Sequence, residues 1–111
     1  EAMGQLLLEN TPEKIAKTPA LAAELEGYCR RMIQLTLVGR RSQFLHKGLT
    51  RAAQVTREEL FFDSISIHST RFAETGVLGE VRRLFNRMLP LELKALPDDG
   101  FRRTLEQSLS L

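Results

Sequence analysis

Arginine is the residue type in this sequence that is best placed to do chemistry, because most of the arginines come in adjacent pairs. A guanidinium group can bind two phosphate oxygens at once, and such contacts hold a protein on an RNA backbone without reading its bases. The residues that we predict to bind RNA are these arginines and two lysines: Lys14, Lys17, Arg40, Arg41, Arg82, Arg83, Arg87, Arg102 and Arg103. The competing interpretation is that the arginines form ion pairs with nearby glutamates such as Glu24, Glu26 and Glu80.

The aromatic pair Phe61-Phe62 is the second candidate site. Aromatic rings can stack on unpaired RNA bases, but Tyr28 and Phe101 lie in apolar periodic patterns and are predicted to be buried. Phe61 and Phe62 lie in a stretch without such a pattern. We therefore predict that they contact a neighbouring protein.

Residues for catalysis or metal binding are present only as fragments. Cys29 could act as a nucleophile with His46 or His68 as its base, but it lies on or beside the apolar stripe of a helix, where a thiol is usually a small core residue. Two histidines without clustered carboxylates make a poor metal site, and the scattered glycines do not form a phosphate-binding loop. We predict no enzymatic activity, no cofactor and no metal.

Length and composition favour a single domain over residues 1–111. The chain has 111 residues, of which 42% are hydrophobic, and this is enough for one modest core. The net charge of +2 neither requires nor excludes a polyanionic partner. No apolar run approaches the ~20 residues that span a bilayer, and the single cysteine excludes an internal disulfide.

Three main helices are predicted from local signals. Thr18-Pro19 is a strong helix start, and the apolar residues that follow it recur every three or four positions until Gly39, which is predicted to end the helix. A second helix is expected from Ser42 and a third from Leu78, the third ending at Pro90. Residues 57–76 are predicted to be an insertion, a short helix followed by an irregular excursion, because Thr56 and Glu59 resemble a capping box.

Two short stretches predict strands. Ile15 lies in a short segment that suits an edge strand, and from Phe101 to Leu111 apolar and polar residues alternate after a Pro-Asp-Asp-Gly turn. Phe101, Leu105 and Leu109 also match a helical spacing, so the period alone leaves both options open. The predicted fold class is α+β, with three to four helices packed in a second layer on a small mixed sheet.

Four short motifs resemble one known family, ribosomal protein seventeen of the bacterial-type large subunit. "KIAKTPALAAEL" (14–25) and "MIQL" (32–35) resemble the family's Arg-Ile-x-Thr-Thr strand, its Ala-Lys-Glu-Leu helix and its Leu-Ile-x-Leu. "LFNRMLP" (84–90) and "DGFRRTL" (99–105) resemble its Leu-Phe helix end with a following proline and its Gly-Gly-Tyr-Thr-Arg-Ile-Leu. The motifs occur in the family's order along most of the chain.

This resemblance implies a structural protein of the large ribosomal subunit that binds ribosomal RNA and neighbouring ribosomal proteins. It places Phe101 at the family's tyrosine and Arg103 at its arginine. The family's basic N-terminal arm is missing, and the connection from Arg40 to Leu78 is longer than the family's. These departures are typical of an organellar protein, so a mitochondrial ribosome is predicted, with a bacterial or plastid ribosome as the alternative.

The alternative function is a small helical protein-interaction or DNA-binding domain. A helix-turn-helix would use the helices on either side of Arg40-Arg41, with Ser42, Gln43, His46 and Lys47 exposed on its recognition helix. A strand after Gly100 would have no role in such a domain, whereas the ribosomal prediction requires one.

Overall fold

The computed structural model describes residues 12–66 and 76–111, and these residues form helices. In chain order the helices are α1 (Pro12–Lys17), α2 (Pro19–Lys47), a 3-10 helix (Thr50–Ala53), α3 (Arg57–Ile65), α4 (Leu78–Lys94) and α5 (Gly100–Ser108). No β-strand occurs within the two described ranges. The prediction of an α+β fold with helices on a small mixed sheet is therefore wrong, and the helices pack on one another.

The long helix α2 begins as predicted but ends later. Thr18 is its N-cap and Pro19 its first residue, although the Thr18 side chain makes no capping hydrogen bond. Gly39 does not end it, because Gly39 has helical neighbours on both sides and the apolar spacing continues beyond it to Phe44. The helix ends at Gly48, whose φ of 66° is left-handed and whose N–H donates to the Gln43 carbonyl. The predicted separate helix from Ser42 is thus the last part of α2.

Both predicted strands are helical. Ile15 lies in α1 and is 1% exposed, and α1 packs on α2. At the C-terminus, the helical spacing of Phe101, Leu105 and Leu109 prevails over the alternation, because these three side chains are buried together in the core. Asp99 caps the new helix, since its carboxylate accepts the backbone N–H of Arg102.

Helix α4 continues through Pro90 to Lys94, so the predicted end at Pro90 is wrong. A proline within a helix removes one backbone hydrogen bond. Leu89 and Leu93 on either side of it are 0% and 1% exposed. Burial of Leu93 offsets the lost hydrogen bond and keeps the last turn helical.

The capping box at the start of α3 is confirmed. The Thr56 hydroxyl accepts the N–H of Glu59 at 3.1 Å, and the Glu59 carboxylate accepts the N–H of Thr56 at 3.3 Å. The first part of the predicted insertion is therefore a regular helix, which adds Leu60, Phe61 and Ile65 to the core. The excursion expected farther on falls at 67–75, outside the described residues.

The core is one continuous apolar cluster to which every described helix contributes. Helices α2 and α4 run in the same direction. Later residues of α2 contact later residues of α4 and of the turn that follows it. These contacts are Glu26 with Arg87, Gln34 with Glu92, and Arg41 with Asp99. Helix α3 completes the packing through Phe61, whose ring lies 5.2 Å from that of Phe85.

Candidate RNA and protein interface

Most of the arginines that the sequence predicts to bind RNA are paired with carboxylates of the same chain. The pairs are Arg40 with Asp63, Arg41 with Asp99, Arg82 with Glu58, Arg83 with Glu80, Arg87 with Glu26, and Arg102 with Glu106. A phosphate would have to compete with an intramolecular carboxylate at each of these positions. The competing interpretation from the sequence, ion pairs with acidic residues about one helical turn away, describes Arg83 and Arg102. The other four pairs join residues that are far apart in sequence and that the fold brings together.

Arg40 and Arg82 connect helices. Arg40 donates from Nε to Asp63 at 3.0 Å and from Nη1 to the Ala52 carbonyl at 3.2 Å, and its side chain is only 20% exposed. It thereby joins α2 to α3 and to the 3-10 helix. Arg82 pairs with Glu58 and lies 4.4 Å from the centre of the Phe61 ring, so it joins α4 to α3 through charge and a cation-π contact.

Arg83 and Arg87 form more exposed pairs. Arg83 pairs with Glu80 within α4, and the hydrogen bond between them lowers the pKa of Glu80 and raises that of Arg83. Arg87 pairs with Glu26 of α2, with side chains 52% and 33% exposed. Exposed pairs contribute little to stability, about 0–1 kcal/mol, so either arginine could change partner at low cost.

A second group of cations has no ion-pair partner in the described part of the chain. Lys17 and Arg103 are the members of this group that the sequence predicts to bind RNA. Lys14 makes an interaction of its own within the chain. The structure adds Lys47, the last residue of α2, and Arg51 of the 3-10 helix. Neither was predicted from the sequence to bind RNA, because no local pattern or family motif distinguishes these two isolated charges.

Lys47, Arg51 and Arg103 lie on elements that meet at the C-terminal end of α2, and we name these three residues the basic end. Helix α5 contacts the 3-10 helix, and the Ser108 hydroxyl donates to the Val55 carbonyl at 2.7 Å just beyond it. All three cations are exposed. The basic end therefore combines residues that are far apart in sequence.

A shallow cleft of about 460 Å³ lies beside the basic end. Gln43 of α2, Thr50 and Arg51 of the 3-10 helix, and Gln54 are among its lining residues. Amide, hydroxyl and guanidinium groups can all donate to phosphate or ribose oxygens. The cleft thus supplies neutral donors next to Arg51, and it also contains the Glu59 carboxylate, which would repel a phosphate on that side.

The two residues of the aromatic pair, Phe61 and Phe62, differ in burial. Phe61 is 1% exposed and packs against Phe85, so its side chain is not accessible to a partner. Phe62 is 51% exposed and touches Phe61 edge-on, with 5.3 Å between ring centres. Of the two, only Phe62 can meet a neighbouring protein.

Cys29 is a core residue. It is 2% exposed, and burial, assisted by the charge of Glu80, raises the pKa of its thiol to about 12. The thiol is therefore protonated at neutral pH and unsuited to nucleophilic attack. His46 lies on the exposed surface of α2, and His68 is outside the described residues. Within 12–66 and 76–111, no group of three or more His, Cys, Asp or Glu side chains could hold a metal ion.

The helix-turn-helix alternative is wrong for the segment around Arg40-Arg41. Such a motif needs a turn between two helices, and α2 is continuous there from Pro19 to Lys47. Helices long and apolar enough to cross a membrane are absent from the described part of the chain. Comparison of the chain with protein-family models, curated proteins and solved structures finds no match.

Proposed function

We propose that this chain is a structural protein of the large ribosomal subunit, in a mitochondrial ribosome, where it binds the ribosomal RNA backbone and neighbouring ribosomal proteins. The support from sequence is the order of the four motifs between Lys14 and Leu105. The first and the last of these motifs lie on helices instead of strands, so the resemblance supports the proposal through sequence order alone. A bacterial or plastid ribosome is the alternative location.

The basic end is the structural observation that carries the proposal. Its cations are exposed and have no carboxylate partner in the described residues, so RNA phosphates would bind them without breaking an ion pair. Phosphate contacts from lysine and arginine release counterions and give an affinity that falls steeply with salt. The polar cleft beside Arg51 offers additional donors to the same RNA strand.

The paired arginines have a different role in this proposal. Arg40, Arg41 and Arg82 hold helices together and orient the surface, while the basic end makes the RNA contacts. Arg83 and Arg87 are not part of this interface, because Arg87 pairs with Glu26 near the N-terminal end of α2, whereas the basic end lies at its C-terminal end. The proposed interface is thus architectural, with electrostatic contacts that position an RNA segment.

Sucrose-gradient fractionation of an extract from the native cells, repeated after a high-salt wash, tests the proposal. We expect the protein to sediment with the large subunit and to resist the wash. Sedimentation only in the light, ribosome-free fractions would refute the ribosomal proposal and favour the alternative, a small helical interaction domain.

Charge reversal at single sites tests the RNA surface. Arg51→Glu and Arg103→Glu should weaken binding of the purified protein to ribosomal RNA and reduce its salt dependence, each by about one phosphate contact. The matched control is Lys94→Glu, because Lys94 is also exposed and unpaired among the described residues but lies on α4. Equal effects of all three substitutions would show that only net charge matters and would refute the basic end as a site.

A further inference from the structure

The cleft beside the basic end contains a carboxylate among its hydrogen-bond donors. Gln43, Gln54 and Arg51 supply N–H donors, and Glu59 of α3 lines the same cleft. A phosphate is an anion and an acceptor, so it suits the donors but not the carboxylate. The interior of the cleft therefore suits a neutral group that presents N–H donors to Glu59 and acceptors to the glutamine amides.

The Glu59 carboxylate is held in place by the capping box of α3. Its Oε1 accepts hydrogen bonds from the backbone N–H of Thr56 at 3.3 Å and from the Thr56 hydroxyl at 3.1 Å. Its Oε2 has no hydrogen-bond or ion-pair partner within residues 12–66 and 76–111. The fold thus fixes one carboxylate oxygen and leaves the other free to accept a hydrogen bond from a ligand.

Apolar side chains form another part of the cleft wall. Leu49 is 50% exposed, whereas Ala52 and Val55, which also line the cleft, are 4% and 5% exposed. An apolar side chain that is half in water can pack against the face of a planar base. The volume of about 460 Å³ lies within the range of small-ligand sites, about 300–1,000 Å³, so the cleft has room for a base and its ribose.

Guanine is the RNA base that matches these donors and acceptors. Its Watson–Crick edge presents adjacent N–H donors at N1 and N2, which a carboxylate can accept. Its O6 and N7 are acceptors for a side-chain N–H. Adenine and cytosine carry a ring-nitrogen acceptor next to the amino group, and the N–H of uracil lies between two carbonyls. Each of these three bases would bring a lone pair close to the carboxylate.

We propose that the cleft binds an unpaired guanine of the RNA strand that the basic end contacts. Glu59 accepts from the Watson–Crick edge of the base, Gln43 and Gln54 donate to its acceptors, and Arg51 contacts a neighbouring phosphate. This inference rests on the proposed function and deepens it, because phosphate contacts give affinity and a base contact gives sequence preference. Unpaired RNA bases are recognised in this way because their Watson–Crick edges are free.

Fluorescence anisotropy with labelled single-stranded RNA tests the inference on the full chain. The oligomers are about ten nucleotides long, all uridine or uridine with one central guanosine, adenosine or cytidine. We expect the guanosine oligomer to bind at least about fivefold more tightly than the other three.

The variant Glu59→Gln changes the chemistry of the cleft but keeps the fold. Glutamine also forms a capping box, because its amide oxygen can accept the N–H of Thr56, but its amide nitrogen is a donor where the free carboxylate oxygen was an acceptor. The preference for guanosine should therefore be lost. The matched control is Glu58→Gln, which removes the same charge from a residue that pairs with Arg82 and is not part of the cleft lining. It should keep the preference, and circular dichroism should show the same helix content in both variants.

Arg51→Glu separates this inference from the proposed function. It should weaken the binding of every oligomer by a similar factor and leave the guanosine preference in place. Equal binding of all four oligomers that still weakens with salt and with Arg51→Glu would overturn the guanine site but leave the phosphate contacts standing.

Two further results would also overturn the inference. They are failure of the guanosine oligomer to bind and a guanosine preference that survives Glu59→Gln; sedimentation with the large subunit decides the proposed function separately. Guanosine monophosphate tests the source of the base. Binding of this free nucleotide as tight as that of the guanosine oligomer would overturn the assignment of the cleft to RNA.

Discussion

The guanidinium group of Arg41 in α2 donates two hydrogen bonds to one oxygen of Asp99, from Nε at 3.0 Å and from Nη2 at 2.8 Å. The other oxygen of Asp99 accepts the backbone N–H of Arg102 at 3.3 Å, which caps α5. One carboxylate thus begins α5 and attaches it to α2. Partial burial acts to raise the pKa of Asp99, but the hydrogen bonds from Arg41 and Arg102 outweigh it and lower the pKa.

Replacement of Asp99 should separate its two roles. Asp99→Ala removes the cap and the ion pair, and we expect a loss of about 1–2 kcal/mol in the free energy of unfolding. Asp99→Asn keeps a capping oxygen and should cost less. Since the folded pKa lies below 3.8, the contribution of the charge is present above that pH and is lost as the pH falls through the folded pKa.

Urea unfolding at neutral and at acidic pH measures these effects. The difference between the unaltered protein and Asp99→Asn should shrink in acid, whereas Asp99→Ala should remain the least stable. A difference that grows on acidification would contradict the assigned ion pair.

The two glycines Gly39 and Gly48 should respond to alanine in opposite directions. Gly39→Ala should stabilise the isolated protein by up to about 1 kcal/mol, because the helical site is open and alanine has the higher helix propensity. Gly48→Ala should destabilise it by about 1 kcal/mol, because its φ of 66° strains an alanine. Thermal unfolding of the two variants gives the signs directly, and a stabilised Gly48→Ala would contradict the left-handed cap.

The thiol of Cys29 should be protected and should make stability fall at alkaline pH. Burial raises its pKa from 9.0 to about 12, so the folded protein retains a proton that the unfolded chain releases above 9.0. The stabilising contribution is complete below that pH and is lost as the pH rises towards 12. Cys29→Ala should lower stability at pH 7 but flatten the alkaline decline seen in urea titrations.

Thiol labelling provides a second measurement on Cys29. A small disulfide reagent should react slowly with the folded protein and stoichiometrically in denaturant. Rapid reaction under native conditions would place the thiol on the surface and contradict its burial.

Phe61 and Phe62 should differ sharply in their effect on stability. Phe61→Ala removes a ring that is 1% exposed, and we expect a loss of about 3–5 kcal/mol, enough to unfold much of a small domain. Phe62→Ala should cost less than about 1 kcal/mol, because half of that ring is already in water. Equal losses in urea unfolding would show that the two rings share one environment, contrary to the packing described.

Signals that act within one turn of helix were readable from the sequence. The helix start at Thr18-Pro19 was predicted correctly because proline fixes the backbone at the first helical position, and the Thr56–Glu59 capping box because its two residues are three apart. Gly39 and Gly48 could not be told apart in this way, since a glycine ends a helix only where the backbone turns left-handed. The burial of Phe44 against Phe101 decides that, and this contact joins distant parts of the chain.

The candidate site could not be predicted from the sequence, because its contacts also join distant parts of the chain. Arg40 and Arg41 look free in the sequence because their partners are 23 and 58 residues away. Asp99 was interpreted as part of a turn before a strand, although an aspartate before Gly-Phe-Arg-Arg serves equally well as a helix cap. The basic end forms only because α5 packs against the 3-10 helix, and no local sequence pattern predicts that contact.

The shared direction of α2 and α4 has a consequence for the speed of folding. Two helices joined by a short turn pack antiparallel and can associate as soon as both have formed, but α2 and α4 must first close a long loop. The Arg41–Asp99 contact spans 58 residues, which is a large separation for an all-helical core. We therefore expect this protein to fold slowly among helical domains of its size, and the end of α2 around Phe44 to stay incompletely covered until the chain beyond Asp99 has been made.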